Sequence, residues 1–432
     1  MYPSTVEGEI LIPASKSHTI RALLIASMAM GESFLINPLD SEDARSCMRA
    51  SKALGAQIKE LSKDEQKKVS GEKGRVLKVR GVDGIPRLTD STIDVGNSGT
   101  TLYLVASLVA LTDTPIRLTG DSQIQARPAG NLLRSLVDLG AKVTYEQKEG
   151  FPPFTIQGPL QGGKTTIECP TSQYLSSLLL ASPLMKGTTE IQVPLLFEQP
   201  YVEMTLRWLS EQHIQIERNG LHWFRIPGRQ RYQAFTKTIP GDFSSATFFF
   251  CAAAITRSTL TLLGLDMEDT QGDKEVLNIL ERMGCTTRIS SQGITLSGGD
   301  LKGIEVDLNA LPDALPALAV TACYAKGTTR LVNVPQARLK ETDRIAVMAK
   351  ELSELGAEIK ELPDGLEIRG KGAQGLQGGR VNGWGDHRVV MSLAIGALGA
   401  CGPVTIQTAE AASVTFPGFF QLLEYIRRDK GY

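Results

Sequence analysis

The 432-residue sequence predicts an α/β protein of six βαβ-containing repeats, arranged as two bundles of three buried helices inside sheet walls. Three observations carry this prediction. Six segments open with small, polar or charged residues and continue as apolar runs of roughly 10–12 residues, a length that favours helix over strand. Their starts recur every roughly 70–80 residues, which marks internal repetition. Each is followed by a turn, a strand-like run and an amphipathic helical pattern, in that order.

The apolar helices begin in "SKSHTIRALLIASMA" at Ser15, "GNSGTTLYLVASLVAL" at Gly96, "TSQYLSSLLLASPL" at Thr171, "GDFSSATFFFCAAAI" at Gly241, "PDALPALAVTACYA" at Pro312 and "GDHRVVMSLAIGAL" at Gly385. They are apolar nearly all round, as buried helices must be. The strand runs after them are "GESFLINPL", "DTPIRLTG", "GTTEIQVPL", "RSTLTLLGL", "GTTRLVNVP" and "GPVTIQTAE". The amphipathic helices that follow are "EDARSCMRASKALGA", "AGNLLRSLVDLGA", "YVEMTLRWLSE", "GDKEVLNILERMG", "ETDRIAVMAKELSELGA" and "GFFQLLEYIRRD". Their polar faces put them on the outside. Gly55, Gly140, Gly284 and Gly356 stand where a left-handed residue ends a helix. A short hairpin-like stretch completes most units.

Composition narrows the function. Hydrophobic residues make up 42% and charged residues 22%, and the net charge is -1, so no global field recruits nucleic acid or membrane. No basic segment and apolar run of signal-peptide type opens the chain, and no apolar run is long enough to span a bilayer. The six cysteines are far apart and form no CxxC pair, which fits reduced core thiols in a cytosolic protein. The four histidines do not cluster with them at zinc-ligand spacing, so no metal site is expected.

Any anion site must therefore be local. A helix N-terminus carries about half a positive charge and unpaired N–H donors. Ser, Asp, Asn and Gly at helix starts are also ordinary caps, which is the simplest account of any one segment. Six such starts accompanied by Lys16, Arg21, Arg127, Arg344 and Arg388 point instead to a site for several phosphate and carboxylate groups.

The motifs "SKSHTIRAL", "GNSGTT", "ARP", "TSQYLSSLL", "GDFSSA", "PDALPALAV", "RLKETDR" and "GDHR" occur in an order that resembles the EPSP synthase (3-phosphoshikimate 1-carboxyvinyltransferase) family over nearly the whole chain. The resemblance implies an inside-out α/β barrel of two domains with three repeats each. One domain would comprise residues 1–14 and 241–432, the other residues 15–240, closing on a cleft. It implies transfer of the enolpyruvyl group of phosphoenolpyruvate to the 5-hydroxyl of shikimate 3-phosphate, with release of phosphate. No metal or organic cofactor is implied, and the protein would be a cytoplasmic monomer.

Carried over by motif, Asp313 is the base for the hydroxyl, Glu341 the proton-transfer carboxylate, and Lys16 the lysine that touches both substrates. Judged alone, Asp313 would be a helix cap, Glu341 a first-turn acid and Lys16 a surface charge. Arg127, Arg344 and Arg388 match the arginines that hold phosphoenolpyruvate, a task suited to a planar, bidentate guanidinium. Asn97 and Gly99 match the turn beside that ligand, and Gln173 the bridge between the substrates. Ser17 and Arg21 match contacts to the shikimate carboxylate. Thr171, Ser172 and Lys340 match contacts to its 3-phosphate. Tyr201 would pack on the ring, and Gln336 would contact the same substrate. His387 suits a structural role as well as proton transfer, and Asp386 is expected to pair with a nearby cation.

Four positions depart from the family pattern. Val414 stands where a lysine is usual, Tyr103 where arginine is frequent, Glu198 where a phosphate-contacting serine is frequent, and Gln336 where asparagine is common. Three alternatives follow. The related UDP-N-acetylglucosamine enolpyruvyl transferases carry a loop cysteine where this chain has Ser122 and Gln123. An altered acceptor or ring dehydration on the same frame is motivated by Val414. A ligand-binding relative without catalysis would have no need of Asp313 and Glu341 beside anions.

Overall fold

Six helices are buried along most of their length: Lys16–Met28, Gly99–Val109, Ser172–Ala181, Phe243–Thr256, Leu315–Ala322 and His387–Gly399. Every residue of Gly99–Val109 is buried. Polar positions inside such helices find partners. Ser107 and Ser177 bond each other at 2.6 Å across two of them, and Thr247 and Thr321 donate back to Phe243 and Ala317. The outer helices are amphipathic; Gly130–Asp138 buries Leu132, Leu133, Ser135 and Leu136 and leaves its other face wet.

This computed structural model describes residues 1–71 and 74–429. The chain divides into two compact units, Met1–Pro13 with Pro240–Tyr432, and Ala14–Ile239. Each has its own core. In the first, Phe248 meets Phe419 and Phe249 meets Phe416 edge-to-face among the apolar helices, with Phe249 tilted against Phe419. In the second, leucine, isoleucine and alanine side chains fill the interior with Tyr174, Trp208 and Tyr232.

One strand plan recurs in both units. Thr92–Asp94 lies parallel to Ile116–Thr119, with the helix Gly99–Val109 as the crossover, and Phe154–Gln157 and Lys142–Tyr145 continue the sheet antiparallel. Gly163–Cys169 with Thr189–Leu196, and Glu305–Asp307 with Lys326–Val332, open sheets in the same way. Two repeats take their parallel strand from far along the chain. Thr236–Thr238 lies beside Glu32–Ile36, and Gly8–Leu11 beside Thr259–Leu263. The sixth sheet, Gly379–Asn382 with Val404–Gln407, has two strands among the described residues.

Helix ends follow local chemistry. Ser15, Ser98, Thr171, Asp242 and Asp386 cap five of the six buried helices through their side chains. Gly55, Gly140, Gly284 and Gly356 adopt φ of 100°, 107°, 115° and 79°, which lets the chain turn sharply out of an outer helix. Two elements differ from the sequence reading. The last helix stops at Ile426, because Arg427–Asp429 turns extended and pairs antiparallel with Ser4–Val6. The first repeat's hairpin contains an extra helix, Lys63–Ser70, started by a capping box between Ser62 and Glu65.

Candidate anion-binding and catalytic groups

In the unit Ala14–Ile239, the helix starts bring the predicted residues into three groups. Lys16, half-buried in the first turn of its helix, pairs with Asp43 at 3.1 Å. It is therefore not the surface charge that local context suggests. Arg21, 2% exposed, lies one turn further along. It donates to Thr205 Oγ1 at 2.8 Å, the Tyr201 carbonyl at 3.0 Å and the Ser17 carbonyl at 3.1 Å. Burial pushes its guanidinium down to about 10, against the opposing pull of Tyr201.

The second group surrounds the start of Gly99–Val109. The Arg127 guanidinium lies against Gly99; a Cβ there would fall 2.1 Å from Arg127 Nη1. Glycine is required for so close an approach. Asn97 donates from Nδ2 to Asp121 and Gln123, each at 2.6 Å. Tyr103 donates to the Pro128 carbonyl at 2.9 Å, Tyr174 donates to the same oxygen, and the two rings meet edge-on with centroids 5.1 Å apart. These tyrosines fix the Pro128–Ala129 peptide, immediately after Arg127.

The third group is the start of Ser172–Ala181. Gln173 Nε2 donates to Thr100 Oγ1 at 3.4 Å, while its buried Oε1 has no hydrogen-bond partner among the described residues. A buried acceptor left open in this way suits a ligand hydroxyl. Ser172 and Thr171 donate to the carboxylate of Glu198.

In the other unit the predicted residues converge on Arg344, which is 1% exposed. Its Nη1 donates to Asp313 Oδ1 at 2.8 Å, its Nη2 to Glu341 Oε2 at 2.6 Å, and its Nε to Asp386 Oδ2 at 2.8 Å. Arg388 Nη2 approaches Asp313 Oδ2 at 3.0 Å. Burial disfavours the charge of Arg344, but the carboxylates of Asp386, Glu341 and Asp313 outweigh it and raise the pKa above the ordinary arginine value. Asp313 does not cap its helix, and Glu341 precedes the helix Arg344–Glu354 rather than sitting in its first turn. Both carboxylates are held by guanidinium groups instead. Asp386 meets a cation as expected and also caps His387–Gly399. Glu341, Asp386 and His387 bring ligand-type atoms within 4.8 Å of one another, but Arg344 already supplies the positive charge to both carboxylates. Lys340 is half-buried beside Glu341, and Gln336 is buried, donating to the Asn309 carbonyl at 3.0 Å.

A family model described as EPSP synthase (3-phosphoshikimate 1-carboxyvinyltransferase) matches residues 2–423. The chain belongs to the EPSP synthase family. Relatives named 3-phosphoshikimate 1-carboxyvinyltransferase include those of Ruminiclostridium cellulolyticum, 48% identical over 97% of this chain and 96% of the relative, and Acetivibrio thermocellus, 49% identical with the same coverage. The solved EPSP synthase of Acinetobacter baumannii superposes with a TM-score of 0.80 at 26% identity, over 98% of this chain and 96% of that one. The fold is accordingly the two-domain α/β fold of EPSP synthases.

The four departures from the EPSP synthase pattern now have surroundings. Tyr103 holds a backbone carbonyl next to Arg127 rather than adding a cation. Gln336 keeps a buried amide oxygen without a hydrogen-bond partner among the described residues. Val414 ends a short 3-10 helix, Ala409–Val414, and nothing in the structure explains its presence. Glu198 is buried at the start of another helix. Sequence reasoning missed Asp43 as the partner of Lys16, 27 positions away, and the bond from Trp208 Nε1 to His18 Nδ1 at 2.9 Å. No local pattern announces either pairing.

Proposed function

We propose that this chain transfers the enolpyruvyl group of phosphoenolpyruvate to the 5-hydroxyl of shikimate 3-phosphate and releases inorganic phosphate. The observation that carries the reading is the pair of carboxylates, Asp313 and Glu341, gathered on one buried arginine with Arg388 alongside. A site built only for anions gains nothing from two carboxylates; a site that moves protons needs them.

The reaction has two stages. The acceptor oxygen bonds to C2 of phosphoenolpyruvate as its proton leaves to Asp313, and a proton is delivered to C3 from Glu341 or Lys16. The resulting tetrahedral intermediate then loses a proton from C3 and expels phosphate from C2, restoring the double bond. Arg127, Arg344 and Arg388 hold the donor's carboxylate and phosphate, with Asn97 and Gly99 beside it. Arg344 also aims Asp313 and Glu341. Lys16 and Gln173 contact both substrates, and the Gln173 oxygen accepts from a ligand hydroxyl. Ser17, Arg21 and Tyr201 shape the acceptor's ring and carboxylate site. Thr171, Ser172 and Lys340 serve its phosphate end, and Gln336 contacts the same substrate. Among the described residues no helix is long and apolar enough to cross a membrane. We read the protein as a cytoplasmic monomer.

The test is phosphate release by the purified protein given phosphoenolpyruvate with either shikimate 3-phosphate or shikimate, with mass analysis of the product. Release that depends on both substrates, with the acceptor gaining a carboxyvinyl group, supports the reading. Loss of water from the ring without phosphate release overturns it.

A further inference from the structure

The start of the helix Ser172–Ala181 is occupied by a carboxylate from elsewhere in the chain. Glu198, 2% exposed, places Oε2 at 2.8 Å from Ser172 Oγ, 3.1 Å from the Ser172 backbone nitrogen and 3.1 Å from Thr171 Oγ1. One oxygen thus takes two hydroxyls and the first N–H of a ten-residue helix. Glu198 itself sits in left-handed backbone, φ 58° and ψ 41°, immediately before the helix Gln199–Glu211, and makes no side-chain cap to that helix. That conformation is uncommon for a residue with a Cβ. It turns the side chain away from its own helix and toward its neighbour's.

Thr171 and Ser172 are the donors that the proposed function gives to the acceptor's phosphate. Three donors cannot serve a buried carboxylate and a phosphate at once, because two anions at hydrogen-bond range repel strongly where water is scarce. A serine at this position would add a donor to the cradle; the glutamate fills it.

We propose that Glu198 is a specificity-determining residue that occupies the phosphate cradle, so that a phosphorylated acceptor binds there only by displacing its carboxylate. This rests on the proposed function for the identity of the acceptor. The displacement opposes binding and leaves the later steps alone, so it weighs on the acceptor's KM rather than on kcat. It also narrows the preference for a phosphorylated acceptor over the same ring without phosphate, which has no need of these donors.

The test compares wild type with Glu198→Ser and Glu198→Gln, by steady-state kinetics with shikimate 3-phosphate and shikimate and by calorimetric titration of shikimate 3-phosphate alone. Freeing charge-assisted donors lowers the KM and Kd for shikimate 3-phosphate roughly ten- to hundred-fold in Glu198→Ser, leaving the values for shikimate in place. Glu198→Gln, which keeps the side-chain size and can accept from the same donors, gives a smaller gain and carries the test should the serine variant fold poorly. Unchanged or weaker binding of shikimate 3-phosphate in both variants, with wild-type transfer intact, overturns the inference and spares the functional reading. Absence of wild-type transfer together with tighter binding in the variants overturns the functional reading and spares the inference.

Discussion

Arg344 Nη1 donates to Asp313 Oδ1 at 2.8 Å, across 31 residues of sequence, from a side chain that is 1% exposed. Asp313 is thereby aimed rather than free to rotate, and Arg388 holds its other oxygen at 3.0 Å. Replacing Asp313 with Asn keeps the shape and removes the proton acceptor. Turnover is expected to fall by about 10²–10⁴-fold, the usual range for a general base, with binding of shikimate 3-phosphate retained. Paired kinetic and calorimetric measurements check this; turnover near the wild-type value removes Asp313 from the chemistry.

Asp386 is fully buried, bonds Arg344 through both oxygens and caps the helix His387–Gly399. Asp386→Ala leaves a buried guanidinium short of a partner and a helix without its cap. The expected loss of stability is about 3–5 kcal/mol, read by denaturant or thermal unfolding, with a smaller loss in Asp386→Asn, which can still cap.

Gly99→Ala places a methyl group 2.1 Å from the present position of Arg127 Nη1. The guanidinium must move, because the helix backbone is anchored by its cap. Displacing one charge-assisted contact is expected to raise the KM for phosphoenolpyruvate roughly ten- to hundred-fold. The melting temperature should change little, since the displaced group is the end of a flexible side chain. Initial-rate kinetics and thermal melts on the variant measure both.

Five of the six cysteines are buried and Cys401 is exposed. Burial pushes the thiols of Cys47, Cys169, Cys251 and Cys323 up to about 12 and that of Cys285 up to about 11. At about pH 8 a thiolate-selective reagent should modify Cys401 alone in the folded protein and all six thiols in denaturant. The same shifts make stability fall as pH rises above the ordinary thiol value of 9.0, because the unfolded chain then loses protons that the folded one retains. Thiol titration and alkaline unfolding curves test the two statements.

Much of the fold was legible because its signals are local. The apolar helices announce themselves by composition, and Ser15, Ser98, Thr171, Asp242 and Asp386 mark five of their starts. The capping box at Ser62–Glu65 is equally local, but it lies inside a stretch whose pattern reads as a hairpin. What stayed hidden depends on distant pairing. The parallel partner of Glu32–Ile36 arrives some 200 residues later at Thr236–Thr238, as the register Phe34 with Thr236 shows. At the candidate site, the motifs supplied residue types, but not the convergence of Asp313, Glu341 and Asp386 on Arg344. Nor did they show that Tyr103 would grip the Pro128 carbonyl or that Glu198 would reach into a neighbouring helix start.

The account turns on which bond of phosphoenolpyruvate breaks. Phosphoenolpyruvate carrying oxygen-18 in the oxygen between carbon and phosphorus, incubated with the protein and shikimate 3-phosphate, decides it by mass spectrometry. Cleavage of the carbon–oxygen bond places the label in the released phosphate, while the acceptor keeps its own oxygen in the new enol ether. Label retained in pyruvate, or an acceptor that gains no carboxyvinyl group, would contradict the proposed chemistry.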